Sequence, residues 1–226
     1  MPRKNIRQLA GKPLIAYAIQ AALDSSLIDR VVVSTEDAEI AEVARQWGAE
    51  VPFMRPAELA RDDSPEWLTW QHAIRTLNGT KNGFKVEVLV CVPPTSPLRG
   101  IGDVDACIKT LWESDADLVI STRTAERNPY YNMVALDDNG YASLAVTGPN
   151  RLHRRQDAPQ LYDITTVAYA ARPDFVLRAN WMFEGKVKAV LVPRERAVDI
   201  DTELDFAFAE YLLTKRGPEQ PPHGGR

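Results

Sequence analysis

The sequence predicts an α/β domain, with a mainly parallel sheet and helices packed on both faces. Three observations lead there. Through Ser121 the chain alternates helix, strand, helix, short strand, helix, strand, helix, strand, the order that builds parallel sheets with crossover helices. The extended runs Arg30-Val31-Val32-Val33-Ser34, Val86-Glu87-Val88-Leu89-Val90-Cys91-Val92 and Leu118-Val119-Ile120-Ser121 are nearly continuous in apolar residues, as strands buried on both faces are. Polar or proline-rich loops follow these runs, at the carboxyl ends where such sheets bind ligands: Glu36-Asp37, residues 93–99 and Thr122-Arg123.

Taken in order, residues 1–11 are basic and carry no strand pattern. Pro13 opens a helix whose stripe is Leu14, Ile15, Ala18, Ile19 and Ala22. After the strand at 30–34, Thr35 or Asp37 caps a helix that stops at Gly48. Val51-Pro52-Phe53 is a short extended piece suited to an edge. Residues 55–65 form a polar loop, and a helix over 66–77 buries Trp67, Trp70 and Ile74. Residues 78–83 are a break. The strand at 86–92 runs into Pro93-Pro94-Thr95-Ser96-Pro97-Leu98-Arg99, which its prolines keep out of helix. A helix over 103–112 and a strand at 118–121 follow.

The pattern then changes. Stretches 131–136 and 141–146 read as two strands joined by Asp137-Asp138-Asn139-Gly140, a strong hairpin signal. Residues 125–161 are therefore expected to be a β-rich insertion in a domain spanning 1–213. The main fold resumes with Thr166-Val167-Ala168-Tyr169-Ala170, a helix near 173–177, a strand at 187–192 and a last helix over 204–213. Residues 217–226 are rich in Pro and Gly and are expected to be disordered.

At 226 residues the chain suits one large domain or a domain with a modest insertion. A net charge of -4 gives no nucleic-acid footprint. No apolar run is long enough for a membrane span, and no apolar stretch of a signal peptide follows the basic start. Cys91 and Cys107 sit in apolar contexts at no metal-ligand spacing, which points to buried thiols in a reducing compartment, the cytoplasm.

Five constellations carry possible chemistry, and each has a plainer alternative. In Val198-Asp199-Ile200-Asp201-Thr202, an extended backbone would project Asp199 and Asp201 together while Val198 and Ile200 face the core. Thr202 would cap the helix after it, with Asp205 in the first turn. Such a pair invites a hard cation such as Mg²⁺; the alternative is a capped turn with solvated acids. Arg3, Lys4 and Arg7 precede a helix start, where an anion such as phosphate would reconcile them, unless they are simply solvated. Arg55, Asp62 and Ser64 occupy one polar loop, with Ser64 equally readable as a helix cap. Thr95, Ser96 and Arg99 stand on the stiff loop at a central strand end, where binding residues concentrate; the alternative is a Pro-rich turn. Arg154 and Arg155 form a pair suited to carboxylate or phosphate, or a solvated face. His72 and His153 have no nucleophile partner, and no Ser-His-Asp or Cys-His arrangement appears. Basic loops with a late acidic pair are what phosphoryl or nucleotidyl transfer uses.

Seven segments in order, Pro2-Arg3-Lys4-Asn5-Ile6, Leu9-Ala10-Gly11-Lys12-Pro13-Leu14, Val33-Ser34-Thr35, Arg55-Pro56-Ala57-Glu58-Leu59-Ala60, Pro94-Thr95-Ser96-Pro97-Leu98-Arg99, Arg154-Arg155-Gln156 and Asp199-Ile200-Asp201-Thr202, resemble the bacterial acylneuraminate cytidylyltransferase family, the CMP-sialic acid synthetases. The resemblance implies a Rossmann-like fold and transfer of CMP from CTP to the anomeric hydroxyl of a 2-keto sugar acid, with release of pyrophosphate. It implies that Asp199 and Asp201 hold Mg²⁺, and that Lys4 is catalytic and, with Arg3 and Asn5, ends the nucleotide loop. Arg55, Ser64, Thr95, Ser96 and Arg99 would form the cytidine pocket. Arg155, Gln156, Thr165 and Thr166 would lie near the sugar, with Arg155 reaching in from a neighbouring subunit of a homodimer built on the β-rich insertion. An octulosonate-type cytidylyltransferase and a non-catalytic nucleotide-binding paralogue are the alternatives.

Three departures from the family pattern stand out. The family opens with a strand and Arg-x-Gly-Ser-Lys, whereas this sequence starts at the end of that loop, so Met1 is expected to be an internal methionine or the start of a fragment. Pro93 replaces a common Gln. Asp163-Ile164-Thr165-Thr166-Val167-Ala168-Tyr169 replaces an Arg-Pro-Asn-Gly-Ala pattern at the sugar, which points to legionaminic, pseudaminic or a related acid rather than N-acetylneuraminic acid.

Overall fold

The computed structural model describes residues 1, 3–61, 63–79, 84–148, 152 and 154–216. Expectations for Pro2, Asp62, the break at 80–83, Arg151, His153 and the 217–226 tail lie outside the described residues.

Near the start, β1 (Gln8–Leu9) and β2 (Lys12–Pro13) form a two-residue hairpin that carried no sequence pattern. Ala10 and Gly11 turn it, both at positive φ (45° and 84°), the geometry of a tight two-residue turn. Helix α1 (Leu14–Leu23) buries the anticipated stripe, α2 (Ala38–Gln46) is N-capped by the Asp37 carboxylate at the Glu39 and Ile40 amides, and α3 (Glu66–Asn78) buries Trp67, Trp70 and Ile74. The central elements are β3 (Leu89–Cys91), α4 (Ile101–Trp112) and β4 (Leu118–Thr124). A hairpin, β5 (Val134–Leu136) and β6 (Ala142–Leu144), follows where it was expected, with Gly140 at φ 83° and the Asp137 Oδ1 accepting from the Asn139 and Tyr141 amides. The chain returns through β7 (Tyr162–Ala171), α5 (Pro173–Arg178), β8 (Val187–Leu191) and α6 (Glu203–Arg216).

The sheet corrects one expectation. Its order is β3-β7-β4-β8, and only β4 and β8 pair in parallel; β7 is antiparallel to both of its neighbours. The reason lies in the connections. Parallel neighbours need a crossover, and β4 reaches its parallel neighbour β8 only after the chain has passed through the excursion, β7 and α5. β7 comes back from the 125–161 excursion, which holds no α-helix among its described residues, and it returns alongside β4 in the opposite sense. The result is a mixed sheet with helices.

A second correction concerns residues 31–34. They do not lie inside a sheet: their single ladder contact is a parallel bridge from Val32 to Glu50, and they are only half-buried. The strand predicted at 86–92 is likewise regular only over β3, which pairs with β7 alone among the described residues.

Core packing explains the rest. Val104, Cys107, Ile108 and Leu111 of α4 meet Val119 of β4 and Val167 of β7 on one face, while Trp67, Trp70 and Ile74 of α3 meet Leu118, Tyr169 and Phe175 on the other. Trp67 donates its indole N–H to the Ala179 carbonyl at 2.7 Å, which locks α3 onto the end of α5. Gly185 is a close approach. A Cβ there would lie 2.5 Å from Cε2 of buried Phe175 and 2.8 Å from the Asp117 carboxylate. Gly185→Ala is expected to cost about 1–3 kcal/mol by overpacking, read as a fall in thermal midpoint with no change in far-UV circular dichroism at low temperature.

Candidate active site

The acidic segment sits where three elements converge. Residues 197–201 have no regular strand structure, and of the anticipated alternation only the apolar half holds: Ile200 is fully buried with Leu9, Leu14, Leu98 and Phe206, and Val198 packs on the same cluster. Burial of Ile200 fixes the two aspartates on either side of it. The Ile200 amide donates to the Thr95 carbonyl at 2.9 Å, which ties the segment to the loop after β3. The Ile200 carbonyl accepts from Lys4 Nζ at 2.6 Å, and the same ammonium lies 3.5 Å from Asp201. Asp201 is solvent-facing; Asp199 points inward, and its Oδ1 is buried with no hydrogen-bond partner. The helix that follows is capped as expected. Thr202 Oγ1 accepts from the Asp205 amide, and the Asp205 carboxylate accepts from the Thr202 amide and hydroxyl, both at 2.7 Å. The Thr202 hydroxyl and amide hold the Asp205 carboxyl below its usual range.

The 95–99 loop is held by β7. Thr95 Oγ1 donates to Thr166 Oγ1 at 3.0 Å, and Ser96 Oγ lies 2.7 Å from the same oxygen. Arg99 is buried, and its guanidinium donates to the carbonyls of Val167 (2.8 Å), Thr166 (3.2 Å) and Pro93. Burial pulls Arg99 down to about 9, still above neutrality, with Asp199 and Asp103 among the groups that oppose the loss of charge. Arg99 is thus a charged brace beneath the loop, and its Nη1, like Asp199 Oδ1, has no partner. Burial also pushes the Tyr169 phenol up, with Asp199 adding to the rise.

A cavity of about 550 Å³ opens beside this cluster, and its lining includes Asn5, Thr35, Glu36, Arg55, Pro93 and Pro94. Arg55 donates through Nη2 and Nε to Glu36 Oε2, at 2.5 and 3.1 Å, and its own amide bonds the Thr35 carbonyl. Arg3 pairs with Asp37 and Glu39 at the start of α2.

The remaining sequence-predicted residues lie elsewhere. Ser64 does not cap α3, whose N-cap is Pro65 with no side-chain bond. Thr165 is buried, and its hydroxyl donates to Ser121 Oγ at 2.8 Å inside the sheet, so its neighbour Thr166 carries the polar contact to the loop. Arg155 donates to the carbonyls of Glu126 (2.9 Å) and Ala125 and lines a separate cavity with residues 191–194; Gln156 is exposed beside it in a short turn. Sequence reasoning missed the bidentate pair in which Arg196 donates to Asp103, both contacts at 2.8 Å. Asp103 in the first turn of a helix was a visible signal; its distant partner was not.

With this geometry in place, the chain can be set beside known proteins. A family model described as cytidylyltransferase matches residues 1–184. The chain belongs to the cytidylyltransferase family. Among relatives of this cytidylyltransferase, the CMP-N,N'-diacetyllegionaminic acid synthase of Campylobacter jejuni is 33% identical over 212 residues, covering 93% of this chain and 88% of that protein. A pseudaminic acid cytidylyltransferase of Campylobacter jejuni is 29% identical, covering 94% and 90%. The solved structure of CMP:2-keto-3-deoxy-manno-octonic acid synthetase complexed with CTP superposes with a TM-score of 0.68 at 14% identity over 96% of this chain and 93% of that one, a likeness of fold.

Proposed function

We propose that this cytidylyltransferase transfers CMP from CTP to the anomeric hydroxyl of a nonulosonic acid of the legionaminic or pseudaminic type. The hydroxyl oxygen bonds to the α-phosphorus, the bond from that phosphorus to the bridging oxygen of pyrophosphate breaks, and the hydroxyl proton is lost. The observation that carries this reading is family membership together with relatives named for those two acids at about one-third identity over nearly the whole chain. The contact chain Lys4–Ile200–Thr95 supports it, because it gathers the basic start, the acidic segment and the strand-end loop at one place.

In this reading Lys4 and Arg3 meet the triphosphate, and Asn5, Arg55, Thr95 and Ser96 line the cytidine side. Arg99 acts from beneath, by fixing the loop. Thr166, Arg155 and Gln156 are assigned to the sugar acid, with Arg155 contributed across a homodimer. The exposed apolar residues of the β5–β6 hairpin, Val134, Leu136 and Leu144, support such an interface. Asp199 and Asp201 would hold Mg²⁺. The unpartnered buried Oδ1 of Asp199 fits that assignment, and the remaining ligands of a hard cation would come from water and phosphate oxygens. Bound there, Mg²⁺ would offset charge on the phosphates. The cytoplasm is the proposed compartment, consistent with two free thiols and with no described helix long and apolar enough to cross a membrane.

The decisive experiment measures pyrophosphate release from CTP with a panel of acids: N,N'-diacetyllegionaminic, pseudaminic, N-acetylneuraminic and 3-deoxy-manno-octulosonic. Release with either of the first two, at least tenfold above the others, is expected. Preference for the eight-carbon acid would replace the substrate assignment. CTP binding by calorimetry without release from any acid would identify a nucleotide-binding paralogue.

A further inference from the structure

We infer that Ser121 is a positioning residue: its hydroxyl holds a bulge in β7 that sets where Thr166 meets the 95–99 loop and, through that loop, the acidic segment. The register of the sheet defines the bulge. Strand β7 pairs with β4 as far as Tyr169 opposite Ile120, and pairing resumes with Ile164 opposite Thr122. Four residues of β7, 165–168, thus face Ser121 alone. The irregularity belongs to β7, because β4 pairs with β8 without interruption from Leu118 to Thr122. The ladder between β3 and β7 also stops at Tyr169, so residues 165–168 lie just past it, where β3 gives way to the 93–99 loop.

Extra residues in a bulge leave ladder groups unpaired, and here Thr165, Val167 and Ala168 are buried. One side chain answers three of the polar groups. Ser121, fully buried itself, donates its hydroxyl to the Thr165 carbonyl (3.1 Å) and accepts from the Thr165 hydroxyl (2.8 Å) and the Ala168 amide (3.1 Å). One donated and two accepted bonds use the whole capacity of a hydroxyl. The carbonyls between them, of Thr166 and Val167, accept from Arg99.

Held in this way, Thr166 is the one residue of the bulge left half-buried. Its hydroxyl meets Thr95 Oγ1 and Ser96 Oγ, and the Thr95 carbonyl accepts from the Ile200 amide, between the two aspartates. All three side-chain bonds of Ser121 go to β7, so its influence on the loop passes through the bulge. Without the hydroxyl, the Ala168 amide and the Thr165 carbonyl would be buried and unpaired, a cost that the bulge can relieve only by shifting. A slip of one residue would turn Thr166 to the opposite face.

The kinetic consequence rests on the proposed transfer of CMP; the structural one does not, and the two are measured separately. Amide hydrogen exchange without ligands compares Ser121→Ala with Gly185→Ala, which costs stability away from this site. Ser121→Ala is expected to speed exchange by about tenfold or more at both Ala168 and Ile200, while Gly185→Ala leaves Ile200 within about twofold of the parent. In pyrophosphate release with the preferred acid, Ser121→Ala should raise KM for that acid by about tenfold or more. Gly185→Ala should not move it, and Ser121→Thr, which keeps the hydroxyl, should restore most of it. Thr165→Val removes one of the three bonds; it should give the same pattern at smaller size, and it stands in if Ser121→Ala does not fold. Unchanged Ile200 exchange in the folded variants, or equal shifts in Ser121→Ala and Gly185→Ala, overturns the inference and leaves Ser121 a structural residue. Release from none of the acids would count against the proposed activity, and the exchange comparison would still decide the role of Ser121.

Discussion

Asp199→Asn is expected to lower CTP-dependent pyrophosphate release by about 100- to 1,000-fold, the scale of removing one preorganised charge contact to a reacting phosphate. It should also abolish the magnesium-dependent part of the thermal stabilisation that CTP confers. Without ligands the same variant should melt no lower than the parent. Its carboxylate Oδ1 is buried and unpartnered, so replacing the charge with a neutral amide removes a desolvation cost rather than a stabilising bond. That opposition of signs separates a ligand-holding residue from a structural one. If the variant loses activity and also melts several degrees lower, Asp199 is structural. Asp201→Asn is predicted to behave more mildly, because that carboxylate is solvent-facing and already shares the Lys4 ammonium.

Arg196→Ala is expected to be among the most destabilising single changes outside the apolar core. The Asp103 carboxylate is almost completely buried at the start of α4, where it also accepts from the Gly100 amide at 2.9 Å. Removing Arg196 leaves that charge without its bidentate cationic partner. Breaking a buried pair costs about 3–5 kcal/mol, and partial exposure of Arg196 places this one near about 3. A chain of this size loses about 2–4 °C of melting temperature per kcal/mol, so a fall of about 6–12 °C is expected by calorimetry. Replacing both partners, Asp103→Leu with Arg196→Met, should recover most of it, since the cost lies in the orphaned charge. Arg196 is three residues before Asp199, so the single variant should also loosen the acidic segment and raise KM for CTP.

Several elements were legible because their signals are local. The Trp67, Trp70 and Ile74 stripe of α3, the Asp137–Gly140 turn and the Thr202–Asp205 cap each lie within a few residues, and each formed as read. Apolar alternation placed Val198 and Ile200 in the core, but the expectation that Asp199 and Asp201 project together did not hold: Asp199 Oδ1 is buried and Asp201 faces solvent. The first hairpin was missed because its only mark is the turn at Ala10 and Gly11, with two-residue strands too short to show a period. Thr165 and Thr166 illustrate the limit within a strand. Both are polar neighbours in β7, but adjacent side chains face opposite sides, and which one reaches the loop depends on register.

From its residues alone, this chain determined its helices, its hairpin turn and the caps at Asp37 and Thr202, because those properties depend on neighbours along the backbone. Strand direction, the partner of Asp103 and the burial of Asp199 were decided only by the tertiary structure. Each is a relation between segments far apart in sequence, and the energy that settles it, desolvation and cross-strand hydrogen bonding, exists only once those segments meet.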